Sequence, residues 1–318
     1  MSAVVNVVLP IFGVILAGFV AGRGRLLGQA SSEALNGFVY YFALPALLFL
    51  SMARTPIAAI LNGPYVAAVL GGELVVAVLV AAVGRWAFPD RPAGQAVAAL
   101  AAIFANTGYM GIPLFLTAFG PDGTLPALLA TVVNSAVVIG AAIVIVELDL
   151  STRGGLGGAV KDAIAALIVN PLVLAPLAGI AWGAAGVPLP AWLATFGDLL
   201  GAAAGPCALF DIGLFLASRP LADLVAGHNA PQIAWLVAVK LFAHPLATWV
   251  LARALGVDAA WSAAAALITA LPTGSLAFVV ASRYGVRVEL ASAVILVSTG
   301  LSVVTVAIVL AMIGPAGR

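Results

Sequence analysis

Residues 16–22 read L-A-G-F-V-A-G, and residues 177–183, 161 positions later, read L-A-G-I-A-W-G. A proline lies eight residues before the first glycine of each motif, at Pro10 and at Pro171. Small residues spaced in this way let membrane helices approach closely. The two stretches therefore indicate that one structural unit is written twice along the chain.

Other landmarks keep nearly the same period. Pro45 and Pro206 are again 161 positions apart, and N-T-G at 106–108 is followed by P-T-G at 272–274, an offset of 166. Each unit contains five apolar runs. Because five is an odd number, the second copy must begin on the opposite side of the membrane. Inverted repeats of this kind are typical of secondary transporters.

Composition predicts a membrane protein. Apolar residues make up 64% of the 318 positions, charged residues 8%, and the mean hydropathy is +1.21, whereas soluble domains carry roughly 25% charge. A membrane helix needs about 20 mostly apolar residues. We therefore predict an all-α polytopic protein with ten transmembrane helices arranged as two inverted five-helix repeats. The predicted runs are 3–22, 35–53, 64–87, 96–119, 124–147, 163–185, 190–217, 231–254, 259–284 and 288–313.

The positive charges predict the orientation. Nine Lys and Arg residues fall in the connections after odd-numbered runs, and three fall on the other side. The positive-inside rule then places both termini on the non-cytoplasmic side of the inner membrane. A Gly-rich cytoplasmic linker, 148–162, separates the repeats 1–147 and 163–318. No basic patch with interleaved aromatics suggests a nucleic-acid partner.

The fourth and ninth runs are predicted to be broken helices that cross. Both carry Pro and Gly near the middle of a bilayer-length segment, where non-helical backbone survives only if it lines a cavity or is buried in protein. Half-helix N-termini there suit a carboxylate. The alternative is that these residues merely kink two packed helices. The predicted substrate-binding residues are Asn106, Thr107, Gly108, Tyr109, Pro113, Pro272, Thr273, Gly274 and Ser275.

Four ionisable residues lie inside the apolar runs, where a charge is costly and needs a reason. Glu73 and Lys240 occupy matching depths in the third and eighth runs. Lys240 could attract a substrate carboxylate while Glu73 carries a proton, or the two could form a structural pair that balances helix ends. His244 follows Lys240 by one helical turn. Asp211 is either a ligand of a coupling ion or a capped acid at the surface.

The remaining polar residues favour a carrier over other classes. Asn134 and Ser298 match across the fifth and tenth runs and are predicted to support the site from behind as interhelical hydrogen-bonding groups. No metalloprotease, nucleophile-elbow or P-loop motif is present, which disfavours an intramembrane enzyme. An ion channel would require a ring of repeated pore residues. No metal or cofactor is predicted, and the coupling ion is left open between H⁺, Na⁺ and none.

Two stretches carry a resemblance to a known family. N-T-G-Y-M-G-I-P-L at 106–114 and P-C-A-L-F-D-I-G-L at 206–214, together with the five-plus-five layout, resemble the auxin efflux carrier family. That family includes plant auxin exporters and bacterial malonate carriers. The linker is much shorter than in the plant exporters, and Asp211 stands where an apolar residue is expected.

The resemblance implies a fold like that of sodium/bile-acid symporters. It implies a scaffold built from 1–56 and 163–220 and a mobile core built from 57–147 and 221–318, which move as an elevator within a homodimer. The implied substrate is a small organic anion, either a mono- or dicarboxylate or an auxin-like weak acid. A sodium-coupled symporter is the alternative.

Overall fold

The computed structural model describes residues 2–54, 62–119, 123, 125–150, 171–217 and 229–313. Most of the predicted linker 148–162 lies outside these ranges. The segment 221–228, which precedes the eighth run within the predicted core, also lies outside them. Within the described ranges all regular secondary structure is helical, apart from an isolated β-bridge between Ala105 and Thr273.

Twelve helices are numbered here in chain order over the described ranges. Three of them, α2, α6 and α9 in the series that follows, each contain one internal π turn. The helices are α1 (Ser2–Arg23), α2 (Gln29–Arg54), α3 (Gly63–Ala87), α4 (Pro92–Ile103), α5 (Ile112–Phe119), α6 (125–150), α7 (Pro171–Ala184), α8 (Ala191–Ala217), α9 (Ala230–Ala254), α10 (Ala259–Thr269), α11 (Leu276–Tyr284) and α12 (Val288–Ile313).

Five described helices are long and apolar enough to cross a membrane: α2, α3, α8, α9 and α12. Shorter apolar helical stretches lie at Gly13–Arg23, Pro92–Ile103, Leu174–Ala184 and Ala259–Thr269. The chain is thus an all-helical multi-pass membrane protein, as the composition predicted. The finer arrangement, ten helices as two inverted repeats, stays a prediction, as does the division into scaffold and core.

The repeated glycine motifs lie at close helix crossings. A Cβ on Gly18 of α1 would clash with the backbone carbonyl of Phe210 in α8, and one on Gly179 of α7 would clash with that of Phe49 in α2. Gly213 of α8 in turn packs on α1, where its Cβ would lie 2.6 Å from the nitrogen of Phe19. Backbones can approach this closely only where no side chain intervenes, so the prediction of close packing at both motifs is confirmed.

Three of the described π turns have a local cause in the sequence. They span Val39–Ala43 in α2, Thr107–Gly111 before α5 and Val239–Ala243 in α9, and a proline follows each by two residues, at Pro45, Pro113 and Pro245. A proline has no N–H, and its ring clashes with the carbonyl four residues earlier. That carbonyl lies in the middle of each π turn, so one wide turn accommodates the proline without ending the helix.

Candidate functional site at the crossing of two broken helices

The fourth apolar run is interrupted at its middle. Helix α4 ends at Ile103, the backbone at Phe104 is extended, and the chain turns again from Thr107 through a π turn, Thr107–Gly111, into α5. The ninth run is interrupted in the same way between Thr269, the last residue of α10, and Leu276, the first residue of α11. Both breaks lie where the Pro and Gly pattern predicted them.

The two interruptions cross and hydrogen-bond to each other. The N–H of Asn106 donates to the carbonyl of Pro272 at 2.9 Å, and the N–H of Gly274 donates to the carbonyl of Phe104 at 2.9 Å. This exchange forms the antiparallel bridge between Ala105 and Thr273. It satisfies backbone groups that would otherwise be unpaired away from water, which makes unwound chain tolerable at this depth.

Side chains fix the second interruption in place. The Thr273 hydroxyl donates to the carbonyl of Ala101 at 2.6 Å, and the N–H of Thr273 donates to the hydroxyl of Ser298 at 3.1 Å. Gly274 leaves room for the partner chain, because a Cβ there would lie 2.8 Å from the Phe104 ring. Ser298, expected to support the site from behind, therefore bonds directly to the crossing backbone.

A cavity of about 90 Å³ opens beside the crossing. Its walls come from α2, from both interruptions and from α6. The residues that line it are Leu47, Leu48, Ser51, Phe104, Ala105, Asn106, Thr107, Gly108, Ile112, Thr131, Gly274, Ser275 and Leu276. None of these residues is charged, so the polar character of the cavity comes from hydroxyls, one amide and the backbone.

Several hydrogen-bond donors at this cavity have no acceptor among the described residues. The backbone N–H groups of Gly108, Ser275 and Leu276 have no backbone acceptor there, since they begin the turns that lead into α5 and α11. The Ser275 hydroxyl is 2% exposed and unpartnered. Buried donors are almost always satisfied, so these groups indicate a site for an acceptor-rich ligand.

Most of the predicted substrate-binding residues meet here. Asn106, Thr107, Gly108, Gly274 and Ser275 line the cavity. Pro272 and Thr273 form the bridge behind it. The side chains of Tyr109 and Pro113 lie outside the described part of the structure.

The predicted supporting residue Asn134 is buried in α6. Both polar atoms of its side chain lack a partner within the described chain. It begins a π turn, Asn134–Val138, for which the sequence shows no following proline.

The intramembrane charges lie away from the cavity. Lys240, His244 and Glu73 are buried, and none of them is among the lining residues. The Lys240 ammonium donates to the carbonyl of Thr269 at 2.8 Å and lies 3.0 Å from Nδ1 of His244. Both carboxylate oxygens of Glu73 lack a hydrogen-bond partner among the described residues, so Glu73 and Lys240 are not directly hydrogen-bonded.

Asp211 also lies outside the cavity. It is buried in α8, where its carboxylate accepts a hydrogen bond from the Ser32 hydroxyl of α2. Asp211 directly follows Phe210, the residue whose carbonyl contacts Gly18. The acid thus ties α2 to α8 beside the close α1–α8 crossing, and it is not at the surface.

Sequence reasoning missed one wall of the cavity. Leu47, Leu48 and Ser51 come from α2, and Thr131 from α6. Only Ser51 and Thr131 carried any signal, as isolated hydroxyls within apolar runs. Such hydroxyls are common in membrane helices, so nothing in the sequence alone distinguishes these two.

The family model described as "Membrane transport protein" matches residues 3–151 and 159–310, nearly the whole chain. The chain belongs to the auxin efflux carrier family of membrane transport proteins. The resemblance seen in the motifs of the fourth and seventh runs is thereby confirmed, and the family identifies the chain in general terms as a transporter.

Three relatives illustrate the range of similarity. A protein of Rhizobium meliloti (strain 1021) named "Putative malonate transporter" is 34% identical over 96% of this chain and 94% of its own. The "Uncharacterized transporter YfdV" of Escherichia coli (strain K12) is 28% identical over 93% of both chains. An "Uncharacterized transporter" of Methanothermobacter thermautotrophicus is 24% identical over 94% of both.

Proposed function

We propose that this protein is a secondary carrier of a small organic anion whose carboxylate binds at the crossing of the two broken helices. The observation that carries the proposal is the cavity there, with unpartnered buried donors in its wall. The malonate named for the Rhizobium relative is a substrate of the proposed chemical class.

The donors suit a carboxylate better than a cation or an apolar ligand. Gly108 is the second residue of the turn that leads into α5, Ser275 is the N-cap of α11, and Leu276 is the first residue of α11. Free N–H groups at the start of a helix carry partial positive charge, and such ends bind anions in broken-helix transporters. Carboxylate oxygens accept hydrogen bonds only, which matches a wall rich in donors.

The absence of a charged side chain from the cavity wall also supports reversible binding. A buried Arg or Lys in direct contact would bind an anion strongly and release it slowly. Neutral donors attract the same anion less strongly, and a carrier must release its substrate in every cycle. Lys240 is not among the lining residues, so in this proposal it makes no direct contact with the bound anion.

The cavity size favours a short aliphatic acid over an indole-sized one. Its volume is about 90 Å³, whereas an apolar cavity that holds benzene measures about 150 Å³. A monocarboxylate of two or three carbons, which is smaller than benzene, fits a space of this size, and a dicarboxylate such as malonate needs a small outward movement of the wall. An auxin-like aromatic acid would require the wall contributed by α2 to move away.

A ligand-stabilisation screen of the purified protein tests the proposal. A ligand that binds the folded state raises the melting temperature by mass action. We expect short aliphatic mono- or dicarboxylates to raise it in the wild type and to lose most of that effect in Asn106→Ala. Indole-3-acetate serves as the size control. A larger effect from the indole acid, or an unchanged effect in Asn106→Ala, would contradict the proposed site.

For the transport cycle we propose elevator-type movement in a homodimer of the inner membrane. In this proposal the crossing, carried by α3–α6 and α9–α12, slides against α1, α2, α7 and α8. The contact between α2 and the crossing would then change during transport. Ser51 belongs to the proposed scaffold and Thr131 to the proposed core, and both line the cavity. The connections around 54–63 and 218–230, most of which lie outside the described residues, would act as hinges in this proposal, with Pro56, Gly63, Pro220 and Gly227 as the hinge residues.

Cross-linking tests this movement. In a Cys207→Ser background, which removes the single cysteine, Ser51→Cys and Thr131→Cys should cross-link with a short bifunctional reagent. Transport by the cross-linked protein should stop while the melting temperature is kept, and it should fall further than in each single-cysteine variant after the same treatment, because those variants report the effect of modifying the cavity wall alone. Full transport by the cross-linked protein would argue for a gate or a rocking motion instead.

A further inference from the structure

The Lys240 side chain binds the end of a broken helix. Its ammonium is wholly buried and lies 2.8 Å from the carbonyl oxygen of Thr269, the last residue of α10. Nδ1 of His244, one turn further along α9, lies 3.0 Å from the same ammonium. A positive charge thus lies at the C-terminal end of a half-helix, and Lys240 is not among the residues that line the cavity.

The Lys240 ammonium occupies the kind of position in which a metal cation would bind to a helix end. The last carbonyls of a helix have no partner within the helix and carry partial negative charge. In transporters with discontinuous helices, such half-helix ends and unwound carbonyls coordinate sodium. Here an ammonium held by the chain itself meets the carbonyl that such an ion would use.

The surroundings supply the remaining features of a cation site. Glu73 on α3 is buried, both its oxygens are unpartnered within the described chain, and it interacts electrostatically with Lys240. The Thr248 hydroxyl, one turn beyond His244 and in contact with Gly72, is also unpartnered. The groups that face Lys240 are therefore one acid from α3 and one imidazole from its own helix.

The other half-helix end has no need of a cation. The carbonyls of Ala101 and Phe104, at the end of α4, accept hydrogen bonds from the Thr273 hydroxyl and the Gly274 N–H. Protein groups thus meet two of the carbonyls at the end of α4, whereas the Thr269 carbonyl at the end of α10 is met by the Lys240 ammonium among the described contacts.

We propose that Lys240 is a built-in replacement for a monovalent metal cation at the end of α10, so that this protein works without sodium. The inference rests on the proposed function, because it concerns the coupling ion of that carrier. Its test by melting uses no substrate, so a wrong choice of substrate leaves the result unaffected.

The test compares two substitutions that differ in the space they leave. Lys240→Ala removes the ammonium and opens its position, whereas Lys240→Met removes the charge and fills the position with an unbranched apolar chain. Melting temperatures are measured for the purified proteins in sodium chloride and in choline chloride at equal ionic strength. We expect sodium to raise the melting temperature of Lys240→Ala by about 2 °C or more, and to leave the wild type and Lys240→Met unchanged.

Two results overturn the proposal. One is a specific rise of the wild-type melting temperature in sodium, which would show an open sodium site. The other is a Lys240→Ala protein that responds to sodium no more than Lys240→Met does. If Lys240→Ala does not fold, the test is uptake by wild-type protein in vesicles of the carboxylate that raises its melting temperature. Equal uptake of that carboxylate in sodium chloride and in choline chloride supports the inference, and a tenfold loss of uptake in choline chloride refutes it.

Discussion

Two kinds of close backbone contact occur in this molecule, and they differ in what they leave open. Where α1 crosses α8, both helices are intact, Gly18 lies against the carbonyl of Phe210, and glycines alone create the proximity. Where the fourth and ninth runs cross, both helices are interrupted, and their backbones exchange hydrogen bonds between residues 104–106 and 272–274. The first contact is closely packed, and the second borders a cavity.

The difference follows from backbone hydrogen bonding. An intact helix satisfies its own N–H and C=O groups, so a glycine crossing has none left for a ligand. An interrupted helix frees up to four groups at each new end, and the crossing satisfies only some of them. The glycine crossings should therefore respond to mutation through folding, and the broken crossing through binding.

The largest expected effect comes from filling a glycine crossing. Gly18→Leu places a side chain against the backbone of Phe210, which cannot move without displacing α8. Overpacking usually costs about 1–3 kcal/mol and more where the backbone is rigid. We expect loss of folded protein, measured as the monodisperse fraction after purification. Gly13→Leu on the same helix, where nothing lies within 4 Å, is the control and should fold normally.

Asn106→Ala tests the opposite behaviour at the broken crossing. Losing a hydrogen bond to a charged ligand costs about 1.5–3 kcal/mol, which corresponds to roughly 10- to 150-fold weaker binding. We expect uptake to fall by that factor while the melting temperature stays near that of the wild type. Asn229→Ala, outside the cavity wall, is the matched control. Normal uptake by Asn106→Ala would remove the distinction between the two contacts.

A pair of threonines separates binding from stability within the crossing itself. Thr273→Val leaves the Ala101 carbonyl without the hydroxyl that now bonds it at 2.6 Å, which should lower the free energy of unfolding by about 1–3 kcal/mol. Thr107→Val changes a residue of the cavity wall and should reduce uptake with little change in melting. If both variants lose only stability, or both lose only uptake, then the two threonines do not have the separate roles proposed for them.

The smallest expected effect concerns Glu73, which is near the crossing but outside the cavity. If its carboxylate carries a proton during transport, Glu73→Gln should keep folding and substrate binding but lose the pH dependence of uptake. The charged and titratable groups that interact with it are Lys240 on α9 and Tyr65 on its own helix. Uptake measured across a pH series tests this.

The reversed pair Glu73→Lys, Lys240→Glu is the complementary test. It moves the ammonium to α3 and leaves the Thr269 carbonyl without its present donor. Full transport by the double variant would show that only the net charge matters, and it would argue against separate roles for the two residues.

The sequence by itself determined the class of this protein and the positions where its helices break. Apolar runs of bilayer length predict membrane helices because backbone groups in lipid must be satisfied locally. The interruptions near Asn106 and Pro272 were predictable because Pro and Gly act on the backbone of their own segment. The close contacts at Gly18 and Gly179 were predictable for a similar reason, since only glycine permits them.

Only the tertiary structure decided what each polar group contacts. Matching depths in the third and eighth runs left a structural pair of Glu73 and Lys240 as one alternative, yet the Lys240 ammonium bonds to the end of α10 and the Glu73 carboxylate has no hydrogen bond among the described residues. The cavity wall from α2 has no sequence signature either. Both outcomes depend on how segments far apart in the chain pack against each other, and such contacts follow from the geometry of the whole assembly of helices, which local hydropathy does not encode.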